Sequence, residues 1–407
     1  MASDPAAPRV ITPIPRYRSH GGPALLSAGF RPFFLVAALW AALAVPIWLC
    51  AFSGQAGLPT LLSPLVWHAH EMVFGYAAAT VAGFLLTAIP NWTGRMPLQG
   101  GPLALLVALW AGGRVAVLLS AHLGAVQTAV LDLAFPAAFL GVVGREILAG
   151  RNWRNLPMVG ALGLLFLGNL LVHLEACGIA PVAELGNRLG IATLLLLISL
   201  VGGRIIPSFT RNWLTKHRPG VAPPAEFGRI DRAGLAIAAI ALAIWVIAPD
   251  APLAPWAELA AGLALGTRLM RWRGAAVLGE PLVWVLHLGY GWLALGLILL
   301  ALDGLVPVLP QTTALHALTV GAVGTMTLAV MTRATLGHTG RALTAGPGTT
   351  AVYILVTIAA LLRLLAPLAG EHYLSALSLA GAAWSSAFGL FVVLYFGALA
   401  RPRRRET

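Results

Sequence analysis

Charge is what this 407-residue chain has least of: 14 acidic and 26 basic side chains amount to 10% of its residues. A soluble domain carries about 25%, so the shortage excludes a soluble globular enzyme, a disordered protein and a nucleic-acid-binding module. The formal charge of +12 does not restore the last, because the arginines sit in short gaps between apolar runs. Cysteine is nearly missing too; Cys50 and Cys177 are too few for a disulfide framework or a zinc knuckle. No Cys-x-x-Cys-His occurs, which excludes covalently attached haem, and no two histidines have the i, i+4 spacing of zinc proteases. The apolar runs lack period-2 alternation, which excludes a membrane barrel. The first 27 residues carry proline and arginine but no cleavable signal, and read as a cytoplasmic tail.

What the chain does have is apolar length: 59% of it is hydrophobic and its mean hydropathy is +0.85. The expected fold is all-α, a polytopic membrane protein. Apolar windows punctuated by Pro, Gly and Arg predict twelve transmembrane helices, near 29–52, 65–89, 102–121, 125–144, 156–177, 185–206, 231–249, 252–270, 281–303, 312–332, 348–367 and 373–399. They form one membrane domain, 29–400, between a tail at 1–28 and a basic tail at 401–407. With both termini in the cytoplasm, 23 of the 26 Lys and Arg fall on the cytoplasmic side, where they set topology and meet anionic lipid. Arg114, Arg188 and Arg363 remain, on the outer side. A guanidinium in hydrocarbon costs at least about 2.5 kcal/mol without a partner, so something anionic or wet is expected beside them.

A repeat runs through the spans. From His70, Gly75 follows at +5 and Thr93-Gly94-Arg95 at +23 to +25; from His316, Gly321 and Thr339-Gly340-Arg341 follow at the same distances. Ile89-Pro90-Asn91-Trp92-Thr93 is echoed by Ile206-Pro207-Ser208-Phe209-Thr210 in span 6. Spans 2, 6 and 10 would then be equivalent, dividing the chain into units near 29–144, 156–270 and 281–399. The rival is a 6+6 transporter, which the long 207–230 connection favours but no half-chain motif supports.

Ten histidines sharpen the reading. His20 and His217 fall in polar segments; His122 and His372 fall at outer span ends. His68 and His70 open span 2, His316 opens span 10 and His173 ends span 5, which gathers four imidazoles in one outer layer. At about 100° per residue, His68 and His70 diverge by about 200°, so they serve two partners and read as one ligand to each of two centres. His70 and His316, equivalent in the repeat, are expected to face a shared b-type haem from both sides. Its propionates would be met by Arg114 and Arg363. Glu71 would orient an imidazole, carry protons, or simply sit at the interface. His287 and His338, towards the cytoplasm, would form a second metal site or bond backbone carbonyls.

Specific motifs carry a resemblance. Gly29-Phe30-Arg31-Pro32-Phe33-Phe34, Trp67 to Met72 with Gly83 to Arg95, Arg151-Asn152-Trp153-Arg154-Asn155-Leu156-Pro157, Gly203 to Asn212, and His316 to Gly321 with Thr332 to Arg341 resemble the NnrS family over essentially the whole chain. The resemblance implies a bacterial inner-membrane protein containing haem and copper, linked to denitrification and nitrosative stress. More remotely, outer histidines on spans 2 and 10 resemble the haem–copper oxidase and nitric oxide reductase superfamily. That superfamily holds copper with histidines of spans 6 and 7, where this chain has none, so copper is expected near His173 and one of the span-2 pair.

The expected function is therefore an inner-membrane haem b protein that binds and reduces or detoxifies nitric oxide, with quinol as a plausible electron donor. The alternatives are a non-catalytic haem-based sensor or buffer and a small-solute or metal transporter.

Overall fold

The computed structural model describes residues 21–306 and 310–403. Residues 1–20 of the expected N-terminal tail, His20 among them, and residues 404–407 of the basic C-terminal tail lie outside the described residues. Among the described residues there is no strand, and ten helices are long and apolar enough to cross a membrane. In chain order the main rods are α1 (Phe30–Phe52), α2 (Pro64–Thr93), α3 (Gly101–Leu118), α4 (Ala125–Ala149), α5 (Leu156–Ala176), α6 (Ala183–His217), α7 (Arg229–Ile247), α8 (Ala254–Met270), α9 (Pro281–Leu305), α10 (Gln311–His338), α11 (Pro347–Leu365) and α12 (Tyr373–Ala400). The last two run on as one helical stretch, broken where Gly370 leaves helical geometry. At 17 residues, α8 is shorter than the other eleven.

Burial sorts the rods. Two thirds of the apolar windows of α2, α9 and α10 are buried (67% each), against 28% for α4. The outward faces carry Leu43, Val126, Val130, Ile240, Leu263 and Val393, all exposed, as a lipid-facing surface requires. The helix ends follow local chemistry. Ser63 caps α2 by accepting from Val66 N, with Pro64 at the first helical position. Arg31 is buried and donates to the carbonyls of Ala398 (3.1 Å), Leu399 (2.8 Å) and Arg401 (2.7 Å). It thereby satisfies carbonyls that the end of α12 leaves open and ties both chain ends to one end of the bundle, called here the terminal end.

The first half of the expected connection at 207–230 is helix, and residues 218–228 are irregular. Past Pro207, α6 continues to His217, with Ile206, Thr210 and Leu214 buried at four-residue spacing and Arg211, Asn212 and Lys216 turned outward. That stripe supports an amphipathic continuation beyond the apolar span.

Three π-helical segments occur among the described residues: Glu71–Ala77 in α2, Ile198–Gly202 in α6 and Ala317–Gly324 in α10. Such segments are rare and concentrate at functional sites. Those of α2 and α10 stand in register with the His70/His316 repeat; that of α6 lies nearer the Pro207 motif and is out of register. Glycines permit the close packing there. A Cβ on Gly75 would meet Trp40 Nε1 at 3.0 Å and Arg114 Nη1 at 2.9 Å, and one on Gly321 would meet the Trp292 ring at 2.7 Å.

Candidate functional site

The end of the bundle opposite the termini holds two histidine sites, and α2 contributes to both. The first is a knot of buried polar side chains from α1 to α5. His70 Nδ1 stands 3.0 Å from Glu71 Oε1, and its Nε2 stands 2.8 Å from Asn169 Oδ1 and 3.2 Å from Asp132 Oδ2. Asn169 Nδ2 donates to Asp132 Oδ2 at 2.8 Å, and His173 Nε2 donates to the same oxygen at 2.9 Å. Arg114 Nη1 donates to Glu71 Oε1 at 2.6 Å while its Nη2 donates to Asp132 Oδ1. Trp40 Nε1 completes Glu71, donating to Oε2 at 2.7 Å. Every ionisable member is at most 4% exposed.

Asn169 spends its amide N–H on Asp132, so both ring nitrogens of His70 face oxygen acceptors. Glu71 and Asp132 meet Arg114 and the imidazoles within the knot, and removing one partner of such a buried pair is strongly destabilising. The donor set also suits a metal. Ligand atoms of His70, Asp132 and His173 lie within 4.8 Å of one another, and two imidazoles with a carboxylate favour iron, copper or zinc. A cation there would take the place of the His70 proton.

The second site is a cavity of about 1020 Å3 between α1, α2, α6, α10, α11 and α12. Its walls are almost wholly apolar, Val45, Leu194, Val320 and Leu377 among them, with His68, His316 and Arg363 as the charged or chargeable members. His68 is stacked on Trp48 with ring centres 4.1 Å apart, and its Nδ1 is buried without a hydrogen-bond partner. His316 Nδ1 donates to the Thr312 carbonyl at 2.6 Å, which leaves its Nε2 as a lone-pair donor. Outer bonds of this kind orient metal-ligating histidines. Arg363 is buried to 7% exposure, with Nε and Nη1 unpartnered. An apolar slot with two available imidazoles and an unsatisfied guanidinium fits a flat, largely apolar group that carries a metal and an acid. Haem b has that chemistry.

The sites expected from sequence are thus redistributed. His70 does not face His316; His68 does. His70 faces residues of α3 to α5, and His316 lines the cavity with residues of α11 and α12. Arg114 is held by two carboxylates inside the knot and does not line the slot, whereas Arg363 does. His173 joins His70 in the knot. Thr210 Oγ1 bonds His287 Nε2 at 2.9 Å, and His287 lines neither the slot nor the two cavities described below. His338 lines a separate cavity at the terminal end and packs on Phe30. The third outer arginine, Arg188, pairs with Glu184 one turn away. Cys50 and Cys177 are free thiols.

Asp132, Asn169 and Trp40 escaped the sequence reading. Asp132 had a legible signal: it is a carboxylate in the middle of an apolar span, where ionisable residues mark function.

Fold and sites together define a polytopic helical membrane protein with two histidine centres buried at one end. The profile described as NnrS protein matches residues 24–403, and the chain belongs to the NnrS family. Membership points to a membrane protein of the nitric oxide response. No curated protein matches the chain.

Proposed function

We propose that this chain is a bacterial inner-membrane haem protein that binds nitric oxide and reduces it, two molecules with two electrons and two protons giving nitrous oxide and water. The carrying observation is the apolar cavity into which His68 and His316 project from non-adjacent helices beside the unpartnered Arg363. These two histidines would hold a b-type haem, and Arg363 would meet its propionates. Bound haem would supply a one-electron carrier. His70, Asp132 and His173 would hold copper. Glu71 keeps the His70 Nδ1 proton at its Oε1 and is the proton-carrying carboxylate of the site. Quinol is the proposed donor of electrons.

The same reading takes twelve crossings, counting α8 and dividing Pro347–Ala400 at Gly370, with both termini cytoplasmic. The Arg31 tie between the chain ends and the even count support this topology. The paired π segments of α2 and α10 support three four-helix units, although the out-of-register segment of α6 weakens the match.

A second reading, a haem-based sensor or buffer without turnover, would use the same slot, with His68, His316 and Arg363 holding the group. Purified protein decides between them. Spectra should show a Soret band, and anaerobic nitric oxide consumption with a reductant should fall to background in His316→Ala. Well-folded protein without the band ends both readings; a band without consumption leaves the second.

A further inference from the structure

A third cavity, of about 1420 Å3, opens at the terminal end of the bundle. Its polar wall comprises Arg204, Arg333, His338, Asn91 and Asn212, and no acidic residue lines it. Arg333 lies over the Phe209 ring at 3.9 Å, and Arg204 donates to Asn155 Oδ1 at 3.2 Å while Arg154 adds like charge beside it. Glu280 acts on Arg333 from outside the cavity lining, and Arg204 has no carboxylate partner among the described residues; guanidiniums on a wall that carries no carboxylate select an oxyanion. The other half of the cavity is apolar. Four residues, Phe84, Val201, Ile205 and Val330, line both it and a middle cavity of about 650 Å3, in which Thr80 and Thr327 are the polar members. Basic head, apolar shaft: the pair has the outline of an amphiphile. Its head lies level with the last turns of α2 and α10, where headgroups belong, and basic pockets between helices on the charged side of a membrane bind anionic headgroups.

We propose that this double cavity binds one anionic phospholipid, its phosphate held between Arg204 and Arg333 and one acyl chain entering the middle cavity past Val201. The basic wall lies apart from both histidine centres, the middle cavity shares Leu194 and Val323 with the His68 and His316 slot, and the proposal does not rest on the proposed nitric oxide chemistry.

The test is native mass spectrometry of the full-length protein in detergent, with dioleoylphosphatidylglycerol, dioleoylphosphatidylcholine and inorganic phosphate as probes. The expected result is one tightly retained phosphatidylglycerol, weakened at least about tenfold by Arg204→Gln with Arg333→Gln, as loss of charge-assisted bonds implies. Val201→Phe, which keeps the basic wall and plugs the shaft, should weaken long-chain phosphatidylglycerol but not a short-chain analogue. This second variant also decides the matter if the double arginine variant fails to fold. Equal retention of phosphatidylcholine, unchanged binding in either variant, or full displacement by inorganic phosphate would overturn the proposal; the last would assign the wall to a soluble oxyanion.

Discussion

His68 and His70 are two residues apart on α2, yet their surroundings are opposites. Around His70 both ring nitrogens have oxygen partners, and two carboxylates meet one guanidinium in the dry interior, with Arg114 Nε left unpartnered. Around His68 the ring nitrogen Nδ1 and Nε and Nη1 of Arg363 are buried and unpartnered. Buried polar groups are nearly always satisfied. The difference therefore separates a site that holds itself together from one that is completed by something else. It also assigns their roles within the bundle: the knot pins α1 to α5 to one another, and the slot leaves room between α2, α10 and α11.

The largest effect should come from the slot. Replacing His316 or His68 with Ala should remove the cofactor, measured as pigment per protein. The loss should exceed the roughly 10–100-fold typical of outer-shell changes. His70→Gln should leave the pigment in place; equal loss from the His70 and His68 variants would break the comparison. Next comes the knot. Asp132→Ala leaves Arg114 short of a counter-charge and should cost about 3–5 kcal/mol, seen as a lower thermal midpoint in detergent. The same variant should no longer retain copper in metal analysis, while the pigment stays. An unchanged midpoint would mean that the knot is not structural. Arg363→Gln should weaken pigment retention by about tenfold or more, because hydrogen bonds to charged groups contribute roughly 1.5–3 kcal/mol; titrating haem into the apoprotein measures it. The smallest effect belongs to Arg188→Ala. Its Glu184 partner is 85% exposed, so stability should change by less than about 1 kcal/mol, which leaves the thermal midpoint nearly unmoved.

Much of this architecture was legible because hydrocarbon imposes simple rules. Long apolar runs have to become helices, and the expected spans match the rods to within a few residues at most ends. The interfacial extension of α6 was less visible, since its polar face resembles a loop unless Ile206, Thr210 and Leu214 are seen as one stripe. The divergence of His68 and His70 followed from helical pitch alone. Which of the two meets α10 did not follow, because repeat equivalence gives position along a rod and says nothing of which neighbour the rod faces. Arg114 and Arg363 looked alike for the same reason: both are outer-half arginines in apolar spans. The partners that distinguish them, Glu71 and Asp132, lie 43 and 18 residues from Arg114.

The sequence by itself determined an α-helical membrane protein, the family to which it belongs, and the layer in which its imidazoles gather, since these depend on local composition, pitch and motif. Only the tertiary structure decided that Asp132 and Asn169 close a buried knot around His70, that His68 shares its slot with His316, and that a basic chamber opens at the other end. Those outcomes depend on which helices pack side by side. Van der Waals fit and charge balance among residues distant in sequence set that choice.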